Sequence, residues 1–141
     1  MHLLMKDMND IVRCQRQSRS ACMAPYGLKA CHALYLMELA ETPGISQERL
    51  AARIFADKSN VARQLAFLEE NGYVTRRASE KDKRAVCVYL TEKAEALLPV
   101  IRQNAEEWEM CVMEVMTREE KEQLAALLGK LRKRLESQVD G

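Results

Sequence analysis

Between Thr42-Pro43-Gly44 and Asn71-Gly72 the sequence holds two short helical repeats with almost no chain between them. That crowding restricts the fold more than any other feature. Proline cannot continue a helix, and glycine readily takes the left-handed conformation in which helices end. Inside these stops Ser46 is suited to cap a helix over about Gln47–Ile54, with Glu48 placed in its electropositive first turn. Phe55-Ala56 leaves room only for a turn. Asp57 then caps a second helix, Lys58–Glu70, on which Val61, Leu65 and Leu68 share one face. The pattern changes at once after Gly72. Tyr73–Arg77 and Arg84–Leu90 are rich in β-branched and aromatic residues, and the polar run Ala78–Lys83 joins them, so a hairpin with a charged tip is expected.

The flanks are helical. Leu3, Leu4, Met8, Ile11 and Val12 recur at helical spacing in a first helix reaching about Cys22, before Pro25 and Gly27 interrupt it. Ala33, Leu36, Met37 and Ala40 mark a helix over about Lys29–Glu41. Beyond the hairpin, Thr91 caps a long helix reaching about Met116, with Pro99 inside it as an expected kink. Thr117 with Glu120 is a capping box for a last helix striped by Leu124, Leu127, Leu128, Leu131 and Leu135. The predicted fold class is therefore mainly α with a small β-hairpin wing.

The 141 residues fit one domain, since domains commonly run about 100–200 residues. With 48% hydrophobic and 30% charged residues the chain can bury a core and stay in solution. Its apolar runs fall short of the roughly 20 residues of a membrane span, and its N-terminus lacks the apolar core and cleavage site of a signal peptide. A cytoplasmic protein that does not engage a membrane is expected. Net charge is only +1, but it is unevenly spread: residues 76–84 hold five cations and two anions, whereas residues 105–122 are dominated by glutamate. A basic middle between acidic ends suggests a local surface for nucleic acid.

Two short helices joined by a tight turn, followed by a hairpin, form a winged helix-turn-helix, in which the second helix enters the major groove. Its exposed side carries Lys58, Ser59, Asn60, Arg63 and Gln64. Arginine can pair with guanine, and asparagine or glutamine with adenine. Arg76, Arg77, Lys81, Lys83 and Arg84 of the wing suit phosphates or a narrow minor groove.

The runs Leu50-Ala51-Ala52, Asp57-Lys58-Ser59-Asn60-Val61-Ala62-Arg63, Leu68-Glu69-Glu70-Asn71-Gly72-Tyr73-Val74-Thr75-Arg76, Asp82-Lys83-Arg84-Ala85-Val86 and Leu90-Thr91 resemble the multiple-antibiotic-resistance regulator (MarR) family. The likeness is densest over residues 45–93 and extends over essentially the whole chain. It implies a homodimer on a pseudo-palindromic double-stranded operator, with a lobe at about 29–91 for DNA and helices at about 1–24 and 92–141 for dimerisation. It further implies repression released by a small-molecule effector, or by oxidation. By the same resemblance Asp82 pairs with Arg84 and aims it from the wing. Ala94, Phe67 and Ala62 stand where the family often has Gly, Arg and Thr, so its base preference need not carry over.

Cys14, with Arg13 and Arg16 nearby and Cys22 as a partner, is a candidate redox pair, since a lowered pKa and access make a thiol reactive; the plain alternative is a structural thiol. Five cysteines without a Cys-x-x-Cys spacing, and only His2 and His32 beside them, argue against a structural or sensory metal. Met23, Tyr26, His32, Tyr35 and Trp108 are candidates to line an effector pocket, against ordinary core. No phosphate loop, nucleophile elbow or histidine–carboxylate set is present, so neither an enzyme nor a cofactor is expected. A winged-helix module that binds protein stands as the alternative of another class.

Overall fold

Each terminus of a helix leaves backbone groups without intrahelical partners, and the caps that supply them set the element boundaries of this chain. The computed structural model describes residues 3–139. In order, α1 is Leu4–Met23, followed by a single 3₁₀ turn at Ala24–Tyr26; α2 is Ala30–Glu41, α3 Gln47–Arg53 and α4 Lys58–Glu70; β1 is Val74–Ala78 and β2 Val86–Leu90; α5 is Glu92–Met113 and α6 Arg118–Val139. Ser46 Oγ accepts from the Arg49 N–H and Asp57 Oδ2 from the Asn60 N–H, as their positions before α3 and α4 require. Thr117 and Glu120 form the reciprocal capping box at the start of α6.

The chain divides into two compact units, Met1–Trp108 and Glu109–Gly141. In the first, α2, α3, α4, the hairpin and the start of α5 close around one core, in which Leu36, Leu50, Val61, Leu65, Leu68, Val88 and Ala94 have no measurable exposure. The second holds the end of α5 and α6, whose leucines are mostly exposed.

The hairpin is antiparallel, with Val74 opposite Leu90 and Ala78 opposite Val86. A short stretch before α3 extends it: the Gly44 N–H donates to the Val88 carbonyl, the Val88 N–H to the Ile45 carbonyl, and Ser46 bridges Cys87. Gly44 has φ +79°, and a Cβ there would lie 3.1 Å from the Tyr89 ring, so both conformation and space select glycine. This third piece of sheet fixes the wing to the start of the helix-turn-helix, where Thr42-Pro43-Gly44 by itself signals only a helix stop.

The second strand begins at Val86, two residues later than expected from β propensity. Asp82 explains the shift. Its Oδ1 accepts from the Arg84 N–H at 3.0 Å, and its carbonyl accepts from the Ala85 N–H, so Arg84 belongs to the turn. At the other end of β2, Thr91 Oγ1 donates to the Gly72 carbonyl at 2.6 Å and accepts from the Ala94 N–H. One hydroxyl thus ties the end of α4 to the start of α5. The expected α5 stops at Met113, three residues short of the sequence estimate, and keeps helical backbone through Pro99, which has no N–H to give the Glu95 carbonyl.

Candidate nucleic-acid interface

The face that the sequence assigns to DNA is built on α4 and on the tip of the wing. Val61, Leu65 and Leu68 bury one side of α4, which leaves Lys58, Ser59 and Arg63 exposed and Asn60 and Gln64 half-buried at the boundary. Lys81, Lys83 and Arg84 are exposed at the wing tip. Lys58 and Arg84 line one groove with Gln47, Glu48 and Val86, so the first turn of α4 and the wing converge on a shared surface. Lys58 also meets Glu48 at 2.9 Å, an exposed pair that salt or a competing phosphate can break cheaply.

Not every cation of the list is free to face outward. The Arg76 guanidinium donates to Glu69 Oε1 and, at 3.1 Å, to Gln47 Oε1, while its backbone N–H donates to Glu69 Oε2. It is a clamp that fastens β1 to α3 and α4, and its hydrogen bonds hold the Glu69 carboxyl below its ordinary value. Arg77 lies over the Tyr89 ring at 4.5 Å, exposed but stacked on its own strand pair. Asp82 engages Arg84 through the Arg84 backbone N–H, shaping the turn that presents the arginine side chain.

Gln64 was expected on the exposed face, and the structure turns it inward. Its Oε1 lies 2.8 Å from His32 Nε2, and its Nε2 donates to Asn60 Oδ1 at 3.3 Å. His32 is 1% exposed, stacked on Phe67 with ring centroids 4.8 Å apart, and its Nδ1 accepts from the Lys29 N–H at 2.9 Å. Burial holds this imidazole below its ordinary 6.5, against the hydrogen bond to Gln64, which raises it, and with Lys29 lowering it further. A neutral ring with both nitrogens paired is an inexpensive buried polar group. Phe67, where the family often has Arg, is the ring that packs on it; nothing in the local sequence spacing could have paired residues 32 and 67.

The candidate pocket residues separate by burial. Met23, His32 and Tyr35 are part of the core, Trp108 is half-buried and Tyr26 exposed. Cys14 is exposed and Cys22 half-buried. Both lie on α1, eight residues apart, which is about 12 Å of helix rise and beyond the roughly 7 Å Cα limit for a disulfide. They cannot pair within one chain while α1 is intact, which corrects the candidate pairing. Burial, and Glu107 after it, push the Cys22 thiol up and lower its thiolate fraction. Among the described residues no group of three or more His, Cys, Asp or Glu could hold a metal ion, and His2 lies outside them. No helix there is long and apolar enough to cross a membrane.

Comparison with known proteins agrees with this architecture. The MarR family model matches residues 30–86. The HTH-type transcriptional regulator YybA of Bacillus subtilis (strain 168) is 36% identical over 103 residues, 73% of this chain and 69% of that protein. The crystal structure of the transcriptional regulator SlyA superposes with a TM-score of 0.91 at 26% identity, covering 99% of this chain and 98% of that one. A Listeria monocytogenes protein described as a MarR family regulator and solved with a 26mer DNA gives 0.91 at 23% identity, covering 99% and 93%, a likeness of fold. With its winged helix-turn-helix and these relatives, the chain belongs to the MarR family of transcriptional regulators.

Proposed function

We propose that this regulator binds double-stranded DNA as a homodimer, on a pseudo-palindromic operator, and represses until a small-molecule ligand releases it. The observation that carries DNA binding is the convergence of Lys58 at the start of α4 and Arg84 of the wing on one groove, with Ser59 and Arg63 exposed on the same helix. A major-groove helix beside a cationic wing supplies both base contacts and phosphate contacts. In this reading residues 29–91 form the lobe on DNA, while helices within 1–24 and 92–141 pair two chains. Pairing is supported by the apolar side chains left exposed on α1 and α6, among them Leu4, Ile11, Leu127 and Leu131. An effector would act by preferring one spacing of the two lobes over another. Met23, Tyr26, His32, Tyr35 and Trp108 remain the candidates to meet it.

The test is fluorescence anisotropy of labelled duplex from upstream of the protein's own gene, against scrambled duplex, at two salt concentrations. The expected result is a salt-sensitive preference for the upstream fragment, with Arg84→Ala weakening both and reducing the salt slope by about one counterion. Weak, equal binding to both fragments, unchanged by Arg84→Ala, would favour a protein-binding winged helix instead.

A further inference from the structure

We propose that His32 is a positioning residue that fixes the hydrogen-bond polarity of Asn60 through Gln64, so that Asn60 turns its Nδ2 donors outward and selects base edges that carry acceptors. The inference rests on the DNA-binding reading above and specifies which bases one position of α4 accepts.

The polarity starts at a group that has no choice. The Lys29 backbone N–H can only donate, and it points at His32 Nδ1 from 2.9 Å. The neutral ring therefore carries its proton on Nε2, which donates to Gln64 across 2.8 Å. Only the amide oxygen of Gln64 can accept there, so its NH₂ is directed along α4 to Asn60, one turn earlier, at 3.3 Å. The atom of Asn60 that meets this NH₂ must be Oδ1. What Asn60 has left to offer is its Nδ2, with two protons and no lone pair.

Each member is held in place. Phe67 stacks on the imidazole with an interplanar angle of 7°, which limits ring rotation. Cys31 Sγ approaches the same Gln64 oxygen at 4.0 Å, as a second weak donor that favours oxygen there over NH₂. Asn60 itself sits in the first turn of α4, its N–H bonded to Asp57.

The consequence concerns readout. The paired contact of asparagine with adenine needs Oδ1 against the N6 amino group and Nδ2 against N7. With Oδ1 turned inward to Gln64, that contact is disfavoured, because turning the amide over sets NH₂ against NH₂. Guanine, with O6 and N7, and thymine, with O4, present acceptors to an outward Nδ2. Gln64, whose residue type also suits adenine, is spent on the relay.

The polarity can be inverted with one substitution. In Gln64→Glu one carboxylate oxygen still accepts from His32 Nε2, but the other now faces Asn60 with a lone pair, so Asn60 turns Nδ2 inward and Oδ1 outward. Selection of duplexes from a randomised pool by the wild-type protein and by Gln64→Glu, each read by sequencing, tests this. At one base pair per half-site, preference should move from guanine or thymine towards adenine or cytosine by roughly tenfold or more, the other positions holding. Binding by Gln64→Glu with an unchanged profile, or a loss equal at all positions, overturns the inference while leaving DNA binding intact. A wild-type protein that enriches nothing removes the DNA-binding reading and this inference with it. Nitrogen-15 spectra of histidine-labelled wild-type protein, with the second signal assigned through His2→Gln, do not depend on the variant folding. A protonated Nε2 and bare Nδ1 are expected for His32; a protonated Nδ1 contradicts the relay at its first step.

Discussion

Apolar side chains stripe the helices at both ends of this chain and in its middle, yet they meet different surroundings. In the lobe, Leu36, Leu50, Leu65 and Leu68 are completely covered by the chain's own elements. On α6, Leu127 is 57% exposed, Leu131 51% and Leu135 50%, and Leu4 and Ile11 of α1 are similarly open. The spacing on the two kinds of helix is alike, so periodicity identifies a face without saying what covers it. A large exposed apolar patch on a protein in water marks an interaction site. The lobe buries its leucines within one chain, and the terminal helices leave theirs open.

Removing a leucine from each region should separate them most strongly. Leu65→Ala leaves a cavity at a site with no measurable exposure, and a loss of about 2–5 kcal/mol in denaturant unfolding is expected at any protein concentration. The pair Leu131→Glu and Leu135→Glu should leave the lobe folded while shifting sedimentation from dimer to monomer. A dimer that survives both changes would place the interface elsewhere.

The lobe itself has an outward and an inward set of cations, and arginine substitutions sharpen that division. Arg63→Ala is expected to weaken binding by about 1–3 kcal/mol and to relax preference at a single base pair, as read from competition among operator variants. Arg76→Ala should act on thermal stability first, because Glu69 and Gln47 lose their partner. An Arg76 variant with unchanged stability and lost DNA affinity would move that residue back among the contacts.

Thr91→Val keeps the shape of the side chain and removes its bonds to Gly72 and Ala94. About 0.5–2 kcal/mol should be lost, in line with other helix caps. A similar change at Thr117, which caps α6, should leave lobe unfolding unaltered.

The smallest effect is that of pH. His32 in the folded lobe titrates below 6.5, near which the unfolded chain's imidazole titrates. Below that value the unfolded chain takes up a proton that the folded chain refuses. Stability is therefore intact above about pH 6.5 and declines as pH falls towards the folded value, before most carboxylates titrate. Thermal midpoints between about pH 6.5 and 5.5 should fall for the wild type and stay level for His32→Gln; a flat wild-type profile contradicts the account of His32.

Much of this was legible in the sequence because caps and stops act locally. Ser46, Asp57, Thr91 and Thr117 announce helices within three residues of themselves, and α4 was bounded correctly from Asp57 and Asn71-Gly72 alone. What escaped depends on distant partners. The extra sheet piece at Ile45 needs Val88 opposite it, Arg76 needs Glu69 and Gln47, and the inward turn of Gln64 needs a histidine 32 residues away. A polar residue on α4 reads as exposed until the element behind it is known.

The measurement closest to the central claim is selection of bound duplexes from a randomised pool by the intact protein, followed by sequencing. An inverted repeat with half-site centres about 10 base pairs apart, or a multiple of that turn, is predicted, since two lobes related by a twofold axis read the same sequence on opposite strands. A single unrepeated site, or no enrichment over the starting pool, would contradict a DNA-reading dimer.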